Sequence, residues 1–513
     1  MSDNPTSSET SSNRNNIKTI TRNVIFGFGE NFGLRIMNFV FNIVIIRTLG
    51  DSTFGQYSIV LAWASLFSVA GDIGISQFFT REIARNPEKS SLWFWDIVVL
   101  RVILAAFASV ITVSGGILYG YEGEIMIGIT LFTIAYFLQA FFQPLSSLLM
   151  GNERIDILSI FNIIGQVIFI SIGGLFLFMG FSFISLIIIS FINIPILIAL
   201  SIWTIKRNNY GPPPLKIHFG QWWVLLKSGF PFAFTQLSLS FAFDSDTIIL
   251  SRFRSDEIVG WYATGYRLML SFLIFFGPFH KAILPTLTRQ HATDPDSVYP
   301  WYYTAVRLII LLTLPIAVGG MLLADKIVLL FYGPEFYPVT IAFVILVWYL
   351  PFRYFTSFAG QFANIIKREG ASAKIFGFEG VTNILLNLLL IPPFGLVGAA
   401  FATVITDVAG AGLFYSLFRK ELGPGLDFRK TSRVILAVTI MGLVTFIVRD
   451  LNVFIAIAIS GIVYIAGVWF LRAISKDEKR WLINKVGSLI NRLSPIKIPL
   501  VTQCLHNLGQ HLN

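Results

Sequence analysis

Long apolar runs alternate with short polar connections along the whole chain, and this alternation limits what it can fold into. Runs of about 18–29 residues, broken by Gly, Pro and charged residues, define fourteen candidate spans. A helix of about 20 apolar residues crosses a hydrocarbon layer about 30 Å thick. The expected spans are 22–49, 56–80, 93–117, 124–150, 156–179, 182–205, 226–252, 259–287, 301–323, 339–365, 373–393, 396–418, 432–449 and 453–472. An all-α integral membrane protein is therefore predicted.

Basic residues are distributed unevenly between the two sides of these spans. Of the 38 Lys and Arg residues, 26 fall on the side that carries both termini, 5 on the opposite side, and the rest inside spans. Cytoplasmic loops of membrane proteins are enriched in Lys and Arg. The net charge of +10 is thus a topology signal and not a nucleic-acid surface. We expect a multi-pass plasma membrane protein with both termini cytoplasmic and no nucleic-acid partner.

No connection exceeds about 20 residues, too few to enclose a core outside the membrane. The sequence also lacks a metal-ligand cluster, a Walker loop and a nucleophile constellation, and its single cysteine, Cys504, lies in the C-terminal tail. We therefore expect no enzyme activity, metal or organic cofactor. Energy for transport is expected from a sodium or proton gradient, the membrane potential, or consumption of the transported molecule.

An internal duplication divides the chain. One set of residues recurs 205 positions later: Arg47, Asp51, Gly55 and Tyr57 reappear as Arg252, Asp256, Gly260 and Tyr262, while Arg101 and Arg307 are 206 apart. A repeat of six spans that keeps their direction predicts two lobes related by an axis along the membrane normal. The expected division is a disordered tail 1–20, an N-lobe 21–206, a linker 207–225 with an interfacial helix, a C-lobe 226–420, two added helices 421–472, and a cytoplasmic amphipathic tail 473–513.

A polar stripe runs along the first span. Asn31, Arg35, Asn38 and Asn42 fall within about 60° of one another on a helix. An arginine in the middle of the membrane costs about 2.5–3.5 kcal/mol on insertion scales, so the stripe must face protein or water and not lipid. We expect it to line a polar cavity.

Oxygen-bearing side chains also occur in three spans of the second repeat. Span 226–252 carries a polar stripe that includes Asp244, with Asp246 facing elsewhere, and the spans at 373–393 and 396–418 carry Asn383, Asn387 and Thr403. A buried carboxylate requires a counter-charge, a cation or a proton. A cation site formed by Asp244, Asn383, Asn387 and Thr403 is one interpretation. The other is an ion pair between Asp244 and an arginine.

Seven stretches in order give the chain a resemblance, over about residues 20 to 472, to a known superfamily. They read RTLGDSTFGQYS, DIGISQFFTREIAR, MGNERI, DSDTIILSRF, VGWYATGYRL with KAILPTLTR, LLADKIVLLFYGPEF and NLLLIPPFGLVGAAFATVITD. The chain resembles the polysaccharide-transporter branch, with its O-antigen-type flippases, of the multidrug/oligosaccharidyl-lipid/polysaccharide exporter superfamily. The resemblance implies a V-shaped, two-lobed helical fold that alternates access. It also implies a polyprenyl-pyrophosphate-linked glycan as the substrate, moved from the cytoplasmic to the outer leaflet.

The resemblance also points to individual residues. Arg35 and Arg267 are similar to cationic cavity positions of the related lipid II flippases, and similar positions to Asn383, Asn387 and Thr403 bind sodium there. Asn387 departs from that pattern, because a carboxylate is expected at its position. Further headgroup candidates are Arg353, Arg101 and Arg307, for which the alternative is a structural ion pair. Asp72, Glu379 and Asp407 are expected to pair with arginines. The resemblance also implies membrane lipid and glycan-assembly proteins as partners. It implies a protein that acts as a monomer.

Three functions are compatible with a chain of this class. A flippase for an anionic lipid headgroup agrees with the excess of basic over acidic residues in the spans. A drug or cation antiporter of the same superfamily should instead place acidic residues in its cavity. A membrane glycan polymerase or glycosyltransferase requires an outer active site, commonly on a sizeable loop, and the outer connections here are short.

The charge asymmetry gives a direct topology test. A reporter active only in the cytoplasm should give signal when fused after Leu422 or at the C-terminus, and none when fused near Gly333. The measurement is reporter activity in intact cells. The reverse pattern would overturn the inside/outside assignment.

Overall fold

The computed structural model describes the backbone of residues 7–208, 216–294, 298–422 and 428–473. Within these ranges, side chains are described from Gly33 onward, apart from 87–92, 274–279, 421–428 and a few single or paired positions between 231 and 286. Seventeen α-helices occur in this part of the chain. They are α1 Ser7–Ser68, α2 Ile75–Arg85, α3 Pro87–Tyr119, α4 Gly123–Gly151, α5 Ile155–Phe178, α6 Ile184–Arg207, α7 Trp222–Phe253, α8 Asp256–Ser271, α9 Phe276–Thr293, α10 Val298–Leu322, α11 Ala324–Tyr332, α12 Val339–Leu346, α13 Tyr349–Ile365, α14 Glu369–Phe394, α15 Leu396–Leu422, α16 Phe428–Val448 and α17 Val453–Phe470. The all-α prediction is confirmed, while the amphipathic helix expected after residue 473 lies outside the described residues.

Helix α1 contains the first expected span and residues 56–68 of the second. Its backbone breaks at Gly50, where φ is +74° and ψ is 175°, a conformation that glycine adopts without a steric penalty. The helix begins at Ser7, within the segment 1–20 that was expected to be disordered. Extending a helix that already exists adds one hydrogen bond for each residue fixed, so an apolar span readily carries polar residues into a helix at its end.

Ten described helices are long and apolar enough to cross a membrane, or eleven if the bent pair α12 and α13 counts as one span. The predicted count of fourteen is therefore not confirmed. Helices cover most of each of the fourteen apolar runs, but α1 joins the first run to part of the second, and the regions of α7 and of α8 with α9 are not among these ten helices. Polar residues interrupt those last two regions and lower their mean hydropathy.

Helices of the first half pack mainly on one another, with α3 against α4, α4 against α6 and α1 against α5. In the second half, α14 packs against α15 and α7, and α13 against α15. The last pair, α16 and α17, packs on itself and on α10. The most extensive packing between the halves joins α1 to α8. This pattern agrees with two lobes plus an added pair, and the exact domain boundaries stay a prediction.

The two copies of the repeat touch each other where α1 meets α8. Gln56 Nε2 donates to Asp256 Oδ2 at 3.0 Å, and Trp261 Nε1 donates to Asp51 Oδ2 at 3.0 Å. Residues 56 and 261 are 205 apart, as are the two aspartates, so each copy makes the same bond to the other. Such reciprocal contacts are what a two-fold axis produces.

Glycines allow this contact to be close. A Cβ added at Gly55 would lie 1.9 Å from the Asp256 carbonyl oxygen, and one added at Gly260 would lie 2.0 Å from that of Asp51. Arg47 reinforces the same end of the bundle by donating to the carbonyls of Leu330 and Phe331 at 2.6 Å each. By the charge distribution this end is expected to face outward. The two halves are thus closed against each other on that side.

The connection between the halves is held by a buried acid. Asp96, which is completely buried on α3, accepts hydrogen bonds from the His218 backbone N–H at 2.6 Å and from Trp222 Nε1 at 3.2 Å. A single 3₁₀ turn, Phe219–Gln221, leads directly into α7. The separate interfacial helix expected in 207–225 is therefore not present in the described residues 216–225, because its tryptophans belong to the first turn of α7.

Substitution of Gly55 by Ala should weaken the closed contact, because the new methyl group would collide with the Asp256 carbonyl. In a Cys504→Ser background, an Asp51→Cys/Trp261→Cys pair reports the contact through its disulfide yield. Gly55→Ala should lower that yield. The matched control is Gly377→Ala on α14, where an added Cβ meets nothing within 4 Å. Equal yields in the two variants would show that the glycine does not control the contact.

Candidate functional site

A cavity of about 830 Å³ lies between the two halves and the added helix pair. It is lined by Arg35, Ile36, Asn38, Phe39, Asn42, Arg267, Leu268, Leu270, Ser271, Phe272, Pro315, Ile316, Gly319, Gly320, Leu323, Ile327, Phe331, Tyr332, Met441, Ile457, Ser460, Gly461 and Tyr464. Among the described residues, this lining contains two arginines and no carboxylate. Its volume is at the upper end of the range for small-molecule sites, about 300–1,000 Å³.

The polar stripe of α1 reaches this cavity. Arg35, Asn38 and Asn42 all line it, while Asn31 lies in a part of α1 whose side chains are outside the described residues. The Arg35 side chain is exposed, and its Nη1 donates to the Leu273 carbonyl at 3.3 Å. One bond of that length leaves most of the five donor hydrogens of a guanidinium for another acceptor.

Arg267 on α8 extends across the interface between the halves. Its Nη1 donates to Asn42 Oδ1, and its guanidinium carbon lies 4.9 Å from the ring centre of Phe54 and 5.8 Å from that of Tyr57. Arginine stacks on aromatic faces while its edge remains able to donate. Two rings of α1 therefore hold the guanidinium of α8 beside the amide of Asn42.

The rest of the lining is mostly apolar and includes residues that sequence reasoning missed. Met441 on α16 and Ser460 and Tyr464 on α17 line the side formed by the added helices. Tyr464 is fixed by a hydrogen bond from its hydroxyl to the Leu311 carbonyl at 2.5 Å. The available signal was the group Ser460, Gly461 and Tyr464 on one face of an otherwise apolar span.

Arg101 lies outside the cavity lining. Its side chain is 3% exposed, and its Nη1 donates to Asp72 Oδ1 and to the Ser76 hydroxyl. Asp72 also accepts from the Ser76 hydroxyl at 2.8 Å, which closes the group. The structure therefore shows the expected pairing of Asp72 with an arginine, and it places Arg101 in an ion pair within the first half.

Two other candidate arginines are also absent from the cavity lining. Arg353 on α13 lies 3.9 Å from Glu379 Oε2 and 3.7 Å from Asp407 Oδ1, which gives both acids their expected arginine partner. Arg307 is 8% exposed on α10. Of the eight headgroup candidates, those gathered at the cavity are Arg35, Asn38, Asn42 and Arg267.

The residues proposed as a cation site make two different sets of contacts. Asp244 is hydrogen-bonded to Ser65 on α1 and interacts electrostatically with Arg267. On the other face of α7, Ser245 donates to Asn383 Oδ1 at 3.2 Å, and Asn387 Nδ2 donates to the same oxygen at 2.9 Å. The second set lies within the second half, whereas Asp244 faces the first.

Asp246 and not Asp244 contacts the group around Thr403. The Tyr262 hydroxyl donates to Asp246 Oδ2 and lies 3.3 Å from Thr403 Oγ1, while the Thr247 backbone N–H donates to Asp246 Oδ1 at 2.7 Å. Both carboxylate oxygens are thus already accepting from protein donors. This arrangement is a hydrogen-bonded network around Asp246, and Asp244, which was expected in the cation site, is not part of it. Ion coupling by the expected group stays a prediction.

Comparison with known families assigns the chain. The sequence model described as "Polysaccharide biosynthesis protein" matches residues 20–291, more than half of the chain. The chain belongs to the polysaccharide biosynthesis protein family. A second family model, described as "Lipid II flippase MurJ", matches residues 224–473.

Two proteins of Haloferax volcanii are similar to this chain in sequence. The "probable low-salt glycan biosynthesis flippase Agl15" is 21% identical over 77% of this chain and 80% of its own length. The "probable flippase AglR" is 31% identical over 32% of this chain, and the match spans only 36% of AglR.

Solved structures show the fold. "Lipid II flippase MurJ, inward closed conformation" superimposes with a TM-score of 0.73 at 18% identity, covering 88% of this chain and 99% of MurJ. An inward-facing multidrug resistance MATE family transporter of the MOP superfamily gives 0.62 at 15% identity, covering 79% and 98%. The family member therefore has the MurJ/MATE-like fold expected from the sequence.

Substitutions can distinguish a structural role of Arg101 in its ion pair from a role in contacting the substrate. Arg101→Met should lower the free energy of unfolding by about 3 kcal/mol, because it leaves the Asp72 carboxylate without its buried counter-charge. The double variant Arg101→Met/Asp72→Asn should recover much of that loss. Thermal unfolding in detergent, together with transport measured per folded molecule, tests both. Transport that stays absent in a stable double variant would instead place Arg101 in the substrate path.

Proposed function

We propose that this protein is a flippase that moves a lipid-linked oligosaccharide, with a pyrophosphate between lipid and sugar, from the cytoplasmic to the outer leaflet. The observation that carries the proposal is the cavity with two arginines, two asparagines and no carboxylate in its described lining. The similarity to Agl15 and AglR, which are named as probable flippases, and to the lipid II flippase MurJ supports the same activity.

The chemistry of the headgroup explains why arginine is suitable. A pyrophosphate must cross a hydrocarbon layer about 30 Å thick while its charge is neutralised and its oxygens are hydrogen-bonded. Guanidinium groups donate two parallel bonds to phosphate oxygens and remain protonated when desolvated. We assign this contact to Arg35 and Arg267, with the amides of Asn38 and Asn42 beside them.

The apolar part of the cavity suits the lipid. Pro315, Ile316 and Leu323, on α10 and just after it, face Met441 and Ile457 from the added helices. Such a surface accommodates an alkyl chain without exposing it to water. A substrate with a charged head and a hydrocarbon tail thus finds both environments in one cavity.

The contact between the repeats corresponds to one of the two states of an alternating-access cycle, the state that is closed to the outer side. Asp51 and Asp256 hold the outward end closed, and release of their two reciprocal bonds would let the halves part there. The headgroup would then meet the outer side without passing through lipid. Both bonds are polar and near the end of the bundle, where water replaces them at low cost.

A cation antiporter is the alternative from the same fold. Such a transporter holds its substrate with acids, and the described lining of this cavity offers guanidinium groups in their place. Two arginines in one cavity repel a cationic substrate. The cavity therefore favours an anionic substrate over a cationic drug.

Substitution of Arg35 by Ala should slow flipping of a polyprenyl-pyrophosphate-linked oligosaccharide by about 10–100-fold, since a hydrogen bond to a charged group contributes about 1.5–3 kcal/mol. Arg35→Lys should recover part of the rate, because an ammonium keeps the charge and loses the planar fork. The measurement is flipping by purified protein in vesicles, read from the accessibility of the glycan to an externally added enzyme.

Arg207→Ala on α6 is the matched control. Arg207 is an exposed arginine that lies over the Trp203 ring at 5.2 Å and is not in the cavity lining. This variant should flip the lipid at the normal rate. A normal rate in the Arg35→Ala variant would remove Arg35 from the headgroup site, and wild-type protein that transports a cationic dye but no lipid-linked glycan would favour the antiporter.

A further inference from the structure

Three ionisable side chains meet inside the second half, away from the cavity. Glu379 on α14 and Asp407 on α15 both face Arg353 on α13, whose Nη1 lies 3.9 Å from Glu379 Oε2 and 3.7 Å from Asp407 Oδ1. The Thr356 hydroxyl donates to Asp407 Oδ1 at 3.3 Å. Glu379 and Asp407 are only 4% and 5% exposed.

The group lies well inside the helical bundle. Glu379 comes ten residues after the start of α14 at Glu369, and Asp407 eleven after the start of α15 at Leu396. At a rise of 1.5 Å per residue both are about 15 Å from these helix ends. Unbalanced charge inside a membrane helix bundle is expensive.

The charges in the group do not balance when both acids are ionised. Among the described side chains, two carboxylates face one guanidinium, which leaves one negative charge in excess. Within the described residues, Glu379 Oε1 is buried and accepts no hydrogen bond. It lies against Gly410, where an added Cβ would be only 1.6 Å away. An ionised oxygen in such a place would pay the full cost of desolvation.

A proton balances the charge better than a metal ion. A sodium ion would need several oxygen ligands and would lie close to the positive charge of Arg353. The tight packing of Glu379 Oε1 against Gly410 leaves no space for a sodium ion on that side. A proton needs no space, and it removes the excess charge at the oxygen that accepts no hydrogen bond.

Other titratable groups face the site from each helix packed around it. They are Tyr349 and Arg353 from α13, Asp407 from α15, Asp246 from α7, and Tyr262 and Tyr266 from α8. Asp246 accepts from Tyr262 and from the Thr247 backbone, so its charge is already compensated by donors. Among these described acids, Glu379 is the one with a buried oxygen that accepts no hydrogen bond.

The guanidinium of Arg353 lies close to the break between α12 and α13. Arg353 follows the end of α12 at Leu346 by seven residues, and α12 and α13 are bent by 40° at that break. A change of the bend would move Arg353 relative to the acids, which are on other helices. Removing the counter-charge raises the affinity of a carboxylate pair for a proton.

We propose that Glu379, with Asp407, binds a proton that is taken up and released once in each transport cycle. The proposal rests on the flippase function proposed above, and it names the coupling ion and its site. Movement of Arg353 toward the acids would release the proton, and movement away would admit it. No covalent bond of the substrate changes.

The test uses purified protein in vesicles that contain the lipid-linked oligosaccharide. For one proton per substrate, each unit of pH difference across the membrane should shift the steady-state distribution of the lipid between leaflets by about tenfold. Glu379→Gln should still equilibrate the lipid but lose this shift, because an amide holds the shape of a protonated carboxyl and cannot titrate. Glu122→Gln, an exposed glutamate before α4, should keep it.

Three results would overturn the proposal. A full shift in Glu379→Gln would remove the site from coupling. A shift lost in Asp246→Asn and kept in Glu379→Gln would transfer the proton to Asp246. A sodium gradient at equal pH that replaces the pH difference, and loses its effect in Glu379→Gln, would make the ligand a metal ion.

A second readout does not depend on the substrate. The infrared difference spectrum of the detergent-solubilised protein between acidic and alkaline buffer should contain a protonated-carboxyl band that is missing in Glu379→Gln and present in Glu122→Gln. Protein that shows this band but flips no lipid would keep the proton site and refute the flippase function. Identical spectra for wild type and Glu379→Gln would refute the proton site.

Discussion

Charge inside a hydrocarbon layer must be paired, hydrogen-bonded or placed against water, and the arrangement of this bundle follows from that requirement. Arg101 meets it through the half-buried Asp72 in the turn before α2, and Arg353 through the buried carboxylates of Glu379 and Asp407 on neighbouring helices. Arg35 and Arg267 meet it at a cavity, using a carbonyl, an amide and two aromatic rings. The same residue type therefore braces the protein in one place and remains available to a ligand in another.

This requirement also explains how far the sequence could be interpreted. Apolar runs and their period give the helical class, because a bilayer permits few alternatives to a helix whose backbone bonds are internal. The cavity stripe on α1 was visible because Arg35, Asn38 and Asn42 share one helical face. The partners of Arg101 and Arg353 were not assigned in advance, since helices distant in sequence supply them and periodicity says nothing about which helices meet.

Errors in the sequence interpretation have similar physical causes. Asp244 and Asp246 lie two residues apart on α7, so they face opposite neighbours, and only packing decides which of them meets Thr403. Tyr262, which the sequence identified as the repeat copy of Tyr57, is completely buried and donates to Asp246. Trp261, beside it, donates across the repeat to Asp51. Side-chain polarity alone does not distinguish an interfacial aromatic from a buried donor.

The reciprocal contact between α1 and α8 has a meaning for the origin of the protein. Two identical half-length chains on a two-fold axis would each present the same aspartate and the same glycine to the other. Gly55 and Gly260 have kept that close approach, while the donors beside them have become Gln56 and Trp261. The contact between α1 and α8 thus has the form of a dimer interface within one chain.

Fusion into one polypeptide frees the two halves from having to be identical. The position 205 residues after Arg35 is Ser240, and the position 205 residues before Arg267 is Ala62. Neither cavity arginine therefore has a copy in the other half. A symmetric dimer would have to carry every such charge twice inside the membrane, whereas the fused chain carries each one only on the side where the cavity uses it.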